Sequence, residues 1–429
     1  MTAPFDIIRK IARDAFRIDN VEYEPADVLT VAHDNDRSYV YDGRHYSPLI
    51  DTLEDDLRKK RLKCLSVARI ISVIKGDLAY GDVRSPEGAF ARALIQKRLK
   101  ALLFPAHYPY SFKEERIWAR VLDETGARSV IAIQPSRELC KACHERGIWV
   151  ADMQHGVIAD THPWYGKSFR SKDPVNQLPS AFLCWDEGSA DVIRSWARDA
   201  IDVQVIGNRW LNRFLHPQKD DTLVSSVLRE SLTDVNGSDD RPKILVSLSW
   251  GDKDIPNGFI ADALEAAIRS TSDDYRWLIR LHPNQLVGFA THEGPLFQTY
   301  YNERLKGHAE WQWVTSAPLP FVLGQVDAHI SWWSSVSIEA SLAGLKTALL
   351  SPRLREGESH ADYYGYFRSI GSIDLVQAKP DEIRAWLKEN LSRPRNPRII
   401  AAADEAYGAL LAAIAERSLA GGGHAGQKP

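Results

Sequence analysis

Two short clusters in the second half of the chain carry the residue types of an anion site. Arg280-Leu281-His282-Pro283-Asn284 closes an apolar run that starts at Arg276. Trp332-Trp333-Ser334-Ser335 follows the apolar run Val326 to Ile330. The two-residue period of a strand puts Arg280 and His282 on one side, as two donors for one anion such as a diphosphate, and Pro283 ends the strand. Ser334 and Ser335 stand where a helix begins. The unpaired N–H groups and the macrodipole of a helix start suit a phosphate. A serine there serves equally as a plain helix cap. Glu339 lies one turn past Ser335, on the same face, where it can accept hydrogen bonds from a ribose.

The first half has its own candidate. Gln154-His155-Gly156 directly follows the run Ile148 to Met153, so it falls at the carboxyl end of a strand. An imidazole there can take a proton from an acceptor hydroxyl near neutral pH, and a glycine lets the backbone turn and a ligand approach. A hydrogen-bonded structural histidine is the competing reading. The loop Thr161-His162-Pro163-Trp164-Tyr165-Gly166 is rich in groups that hold sugars, with Gln154, Gly156, His162 and Tyr165 as the substrate-side set. A second source of a base is the loop Ser249-Trp250-Gly251-Asp252-Lys253-Asp254, where Asp252 or Asp254 can act, or can simply solvate a turn. Cys140-Lys141-Ala142-Cys143-His144 lacks a second CxxC for a closed zinc site and falls inside a helix, so it reads as structural. Asp186-Glu187-Gly188 reads as a turn and helix start.

These clusters need a scaffold that ends strands in clefts. From Ser129 onward strands and helices alternate. Strands are expected at Ser129 to Gln134, Ile148 to Met153, Phe182 to Trp185 and Val203 to Ile206, with helices at Pro135 to Arg146 and Ala190 to Arg198. The polar stretch around 236–242 reads as a linker. A second series follows, with strands at Lys243 to Leu248, Arg276 to Leu281 and Trp311 to Val314, a helix at Phe259 to Ser270, and then the serine-bearing unit. Strands spaced by helices imply parallel sheets of βαβ units, with ligands beyond the carboxyl ends. The expected domains are 1–235, 243–397, a helix over 398–419 that can cross back, and a disordered tail, 420–429.

Composition excludes other classes. A chain of 429 residues has room for two cores. A net charge of −3 leaves no nucleic-acid footprint. No apolar run reaches bilayer length, and four cysteines without framework spacing fit a reducing cytoplasm. The pattern over 4–18 is amphipathic with a basic side. With the basic run Arg58 to Lys63 it can touch an anionic inner-membrane surface, or it can pack on its own domain.

The motif set resembles known families. His282-Pro283 followed by Ser334-Ser335 resembles the HP and SS motifs of bacterial sialyltransferases and Kdo transferases. Gln154-His155-Gly156 with Arg280-Leu281-His282-Pro283 is similar to capsule and O-antigen transferases and to the CDP-glycerol glycerophosphotransferases of teichoic acid synthesis. The resemblance implies an α/β GT-B fold, with two Rossmann-like domains, a cleft between them and a C-terminal crossover helix. It implies a glycosyltransferase that moves a sugar from a nucleotide-activated donor to a hydroxyl of a surface glycan, whose acceptor can be lipid-linked. The donor nucleotide would lie on Arg280, His282, Pro283, Ser334, Ser335 and Glu339, with His155, Asp252 or Asp254 as base. The nucleotide sugar is a co-substrate, and no cofactor or metal is expected. The alternatives are a CDP-polyol phosphotransferase, a non-hydrolysing sugar-nucleotide epimerase and a non-catalytic glycan-binding protein.

Overall fold

A computed structural model of the chain describes residues 9, 11–16, 21–69, 72, 74–103, 110–235, 239–250, 253–255, 257–286, 292–391 and 401–421. Most of the amphipathic pattern over 4–18, part of the 236–242 linker, Asp252 and most of the expected disordered tail lie outside these residues.

The chain divides into two compact units: Met1–His155 with His162–Gly207 and Ala401–Pro429, and Gly156–Thr161 with Asn208–Ile400. The first unit holds β1 (Val28–Ala32), the antiparallel pair β2 (Tyr39–Tyr41) and β3 (Arg44–Tyr46), β4 (Cys64–Ala68), β5 (Val83–Arg84), β6 (Ser129–Ala132), β7 (Trp149–Met153), β8 (Ala181–Cys184) and β9 (Asp202–Val205). Seven of these form a parallel sheet in the order β5-β4-β1-β6-β7-β8-β9. The second unit holds β10 (Lys243–Ser247), β11 (Arg276–Arg280), β12 (Ala309–Glu310), β13 (Ala328–Ser331), β14 (Thr347–Leu349) and β15 (Ile373–Leu375). Its sheet is parallel throughout, in the order β12-β11-β10-β13-β14-β15.

Both orders run outward from a first strand in one direction and then in the other. The reversal falls between β1 and β6 in one sheet and between β10 and β13 in the other. At such a point the two neighbouring loops leave on opposite faces and open a crevice at the carboxyl ends, where ligands bind in this class of sheet.

Parallel strands covered on both faces must be apolar on both. Leu29 and Val31 of β1 pack with Trp118 and Leu122 on one face, whereas Val28 and Ala32 pack with Ile50, Leu53 and Leu57 on the other. That second face is also covered by Tyr407, Leu410, Leu411 and Ile414 of the last helix, Ala401–Gly421, so this helix belongs to the first unit. It runs to Gly421, which takes in the start of the stretch expected to be a tail. No helix among the described residues is long and apolar enough to cross a membrane.

Two features depart from the sequence pattern. The helices Arg209–Leu215 and Thr222–Val235 group with the second unit, so the division falls at Gly207 rather than in the polar stretch 236–242. The strand expected over Trp311 to Val314 is instead the two-residue strand β12 followed by the helix Gln312–Ser316. β12 is an edge strand, paired with β11 only at Ala309 and Glu310. Trp311 leaves the sheet to pack edge-on against Phe297, and the carbonyl of Val314 in the following turn accepts from Arg280.

Ile414 is fully buried against the first sheet. Ile414→Ala should lower stability by about 2–5 kcal/mol, read by urea denaturation, because the cavity it leaves cannot collapse. An unchanged midpoint would mean that this helix does not contribute to the first core.

Candidate functional site

The second sheet brings the predicted anion groups to one edge. Register sets Ser247 of β10 opposite both Arg280 of β11 and Ser331 of β13. The two outer residues are therefore level and one strand apart, roughly 10 Å by the usual inter-strand spacing. Ser331 fixes the serine turn: its Oγ donates to the Ser247 carbonyl at 2.8 Å and accepts from the Ser334 N–H at 3.1 Å. The helix that follows is Val336–Leu342, with Ser335 at its N-cap. The Ser334 Oγ accepts from the Val336 N–H at 3.4 Å, whereas Ser335 makes no side-chain cap.

His282 is arranged as a donor. The Asn284 N–H donates to its Nδ1 at 3.1 Å, which leaves the proton of the neutral ring on Nε2. The backbone N–H of His282 donates to the Gln285 side chain at 2.7 Å. Pro283 opens the short helix Pro283–Leu286 behind it. Burial pushes the imidazole down to about 4, so the ring is neutral at physiological pH.

Arg280 is more constrained than a free fork. Its Nη1 donates to the carbonyls of Val314 and, at 2.7 Å, Ala317. Burial lowers its pKa to about 10, against the opposing field of Glu339. Glu339 is in turn pushed up to about 7 by burial, with Arg280 and an N–H of Asn208 working the other way. That bond, from Asn208 Nδ2 to Glu339 Oε1, is 3.2 Å. Asn208 also caps the helix Arg209–Leu215. Arg280, Glu339 and Asn208 thus form one desolvated group whose charge balance shifts near neutrality. Asn208 follows β9, a strand of the first sheet, whereas its partner Glu339 follows β13 of the second.

Four buried side-chain atoms in this region have no hydrogen-bond partner among the described residues: Ser249 Oγ, Asn284 Oδ1, Trp332 Nε1 and Ser337 Oγ. Ser249, Asn284 and Trp332 follow β10, β11 and β13 respectively. Buried polar atoms are normally paired, so a set at one sheet edge marks where a polar ligand belongs.

The loop after β14 lies over the same edge. Arg353 pairs with Asp254, and its guanidinium stacks 5.6 Å from the Trp333 ring. His360 stands edge-on to Trp333 and to Tyr363, each at 4.8 Å. The Tyr364 hydroxyl donates to the Trp333 carbonyl at 2.6 Å. Asp254, predicted as a candidate base, here anchors Arg353. Asp252 lies outside the described residues.

The chain leaves the first unit at His155 and enters the second at Gly156. A Cβ placed on Gly156 would meet only the Ser335 Cβ, at 3.8 Å, an ordinary contact. Gly156 also has no left-handed backbone, so the turn expected there does not require glycine. At the other end of this segment, the Thr161 N–H and hydroxyl donate to Asp362 at 2.9 and 2.6 Å.

In the first unit, the Nδ1 of His155 lies 3.0 Å from the Tyr165 hydroxyl. Burial, and then the charge of Arg69, hold the imidazole down to about 4. His162 packs on Tyr165 at 5.3 Å and accepts the Trp164 N–H on its Nδ1. Tyr165 is buried, and its carbonyl accepts from Trp196. Tyr165 therefore orients His155 from below rather than facing a sugar. Gln154 is also turned inward: its Oε1 accepts from the Trp185 N–H at 2.6 Å and its Nε2 donates to Ser189 at 3.0 Å. This joins the ends of β7 and β8 and takes Gln154 away from the expected substrate-side role. Asp186 caps the helix Glu187–Arg194, and Cys140 and Cys143 are buried with thiols pushed up by burial.

A buried acid whose pKa is raised from about 4.5 to about 7 favours its protonated form in the folded state. The stability it confers is full below its unfolded pKa and is lost as pH rises through 7. Glu339→Gln should therefore raise the melting temperature at pH 8 and leave it nearly unchanged at pH 4.5. Equal melting temperatures at pH 8 would contradict a desolvated Glu339.

No protein-family model matches the chain, and no curated protein matches it in sequence. Solved structures do match in shape. A UDP-GlcNAc 2-epimerase from Neisseria meningitidis, bound to UDP-GlcNAc, aligns over 92% of this chain and 99% of its own, at 14% identity and a TM-score of 0.52. The wall teichoic acid polymerase TagF aligns over 98% and 97%, at 12% identity and a TM-score of 0.54. A UDP-GlcNAc 2-epimerase from Methanocaldococcus jannaschii, in complex with UDP-GlcNAc and UDP, aligns over 89% and 99%, at 11% identity and a TM-score of 0.54. The α/β fold is GT-B: two Rossmann-like domains, with a final helix that returns to the first.

Proposed function

We propose that the protein is a glycosyltransferase that moves a sugar from a nucleotide-activated donor to a hydroxyl of a surface glycan. The observation that carries this reading is the edge of the second sheet. There a desolvated guanidinium on Arg280 at the end of β11 and a donor N–H on His282 just after it stand level with the serine turn Ser334-Ser335 after β13, with β10 between them. Those groups suit the phosphates of a nucleotide. The fold likeness to enzymes bound to UDP-GlcNAc and UDP supports the same ligand class. Trp333, His360 and Tyr363 offer aromatic surface for the base, and Glu339 or Asn208 polar partners for the ribose.

In the step itself, His155 takes the proton of the acceptor hydroxyl as that oxygen forms its bond to the anomeric carbon. The bond from that carbon to the phosphate oxygen breaks, and its electron pair leaves with the nucleotide. The developing phosphate charge falls on Arg280, His282 and the turn serines, donors fixed before the reaction begins. This reading uses no metal, and it takes His155 as base over Asp254, because Asp254 is occupied with Arg353. The CMP-ulosonic acid donors of sialyl and Kdo transfer are the first donors to test.

Calorimetry with CMP, CDP, UDP and GDP tests the nucleotide site. Wild type should bind at least one of them, and His282→Ala should weaken that ligand at least tenfold. His155→Ala should keep nucleotide affinity and lose turnover. Absence of affinity for all four would point to a glycan-binding protein, and conversion of the donor without acceptor would point to an epimerase. Phosphorus NMR of the product separates sugar transfer from transfer of a polyol phosphate.

A base whose imidazole titrates at about 4 is already neutral at pH 6. The acid limb of kcat/KM should therefore fall near pH 4. An acid limb near 6.5 would show that His155 is not desolvated or is not the base.

A further inference from the structure

The first sheet has a crevice of its own at the reversal between β1 and β6. Of the stretches singled out in the sequence, only the loop 161–166 reaches it, through Trp164. A cavity of about 230 Å³ lies there, and His33, Arg69, Gln134 and Ser136, which follow β1, β4 and β6, face it. Its walls are apolar: Phe90, Leu94, Trp118 and Trp164.

Arg170 lines it as well, and three further cations in it are held in different ways. Lys97 sits between Glu114 and Glu138, at 2.6 and 2.8 Å. Arg137 is paired with Asp173 at 2.6 Å. Arg69 makes no ion pair among the described residues. One of its nitrogens lies 3.2 Å from His33 Nε2, and another donates to the Gln134 carbonyl. Asp36, Asp152 and Glu114 act on it only through space. Burial raises Asp36 to about 6 and Asp152 to about 7, which weakens their hold on it near neutral pH, whereas Glu114, despite its burial, is held low by Lys97, keeps its charge and is itself paired with Lys97.

The turn that carries this contact is strained. Gln134 has φ of 52°, a left-handed backbone on a residue with a side chain. The strain turns the Gln134 carbonyl onto Arg69 and its N–H onto Asp152 at 2.9 Å. The helix Arg137–His144 then starts from Ser136, with its N-terminal end at the cavity. A guanidinium without a carboxylate, a helix start and a ring of apolar side chains meet in one cavity. That combination fits an oxyanion attached to an apolar body.

We propose that this cavity binds an oxyanion, phosphate or carboxylate, carried on an apolar or aromatic group, with Arg69 as its counter-ion. If the transferase reading holds, the ligand is the anchoring part of the acceptor, since one loop supplies both Trp164 to the cavity wall and Tyr165 to His155, at 3.0 Å. Binding itself does not depend on that reading.

The test is calorimetry on the full chain with phenyl phosphate, phenol and inorganic phosphate as probes. Phenyl phosphate should bind at least tenfold tighter than either half. Arg69→Met should remove most of that advantage and leave phenol unchanged. Leu94→Trp, which fills the cavity without changing charge, should abolish phenyl phosphate binding while the melting temperature stays within a few degrees. His282→Ala should leave it intact, which separates this site from the nucleotide site. Equal binding by wild type and Arg69→Met, loss of binding in His282→Ala, or no advantage of phenyl phosphate over inorganic phosphate would each overturn the proposal. Phenyl phosphate binding without nucleotide binding would sink the transferase reading alone, and nucleotide binding without it would sink this one alone.

Discussion

A guanidinium taken out of water at the end of β11 is the constraint on which the second unit turns. Arg280 is level with the serine turn, tied by one nitrogen to the carbonyls of Val314 and Ala317, and faces a carboxyl that burial keeps near its neutral point. Desolvating a charge is costly, and a pair that does not close into a salt bridge recovers only part of that cost. A bound anion would recover the rest. The local arrangement is therefore strained toward a ligand, and the unpaired atoms of Ser249, Asn284 and Trp332 around it carry the same signature.

The surroundings hold this group rigid. Beneath it, His329 bridges Ser247 and Thr347 across three strands at 2.7 and 3.2 Å and stays neutral through burial. Ser331 locks the turn to β10. These bonds fix the register, and the register fixes which side chains stand at the edge. On the outer side Arg353, Trp333, His360 and Tyr364 are joined by an ion pair, ring contacts and a hydrogen bond, so the loop that covers the edge is itself ordered.

Much of this was legible in the sequence. Short apolar runs spaced by helices gave β6, β7, β10 and β11 to within two residues. Strand-end position alone put Arg280, His282, Ser334 and Ser335 on one edge. Side-chain direction was harder to read. Gln154 and Tyr165 sit beside the candidate base but face inward, and only the packing of β7 on β8 shows it. Asn208 was invisible because its partner Glu339 lies 131 residues away. The strand expected over Trp311 to Val314 failed as a pattern because Trp311 packs on Phe297 of the helix Glu293–Arg304. The cavity at Arg69 was hidden for another reason: its members come from six separate segments, and only Trp164 belongs to a stretch the sequence singled out.

The most direct measurement is a crystal structure of the full chain grown with a nucleoside diphosphate. The account predicts the terminal phosphate within hydrogen-bonding distance of His282 Nε2 and the Ser334-Ser335 turn, with Glu339 or Asn208 on the ribose. A nucleotide bound elsewhere, with His282 and the turn untouched, would contradict it.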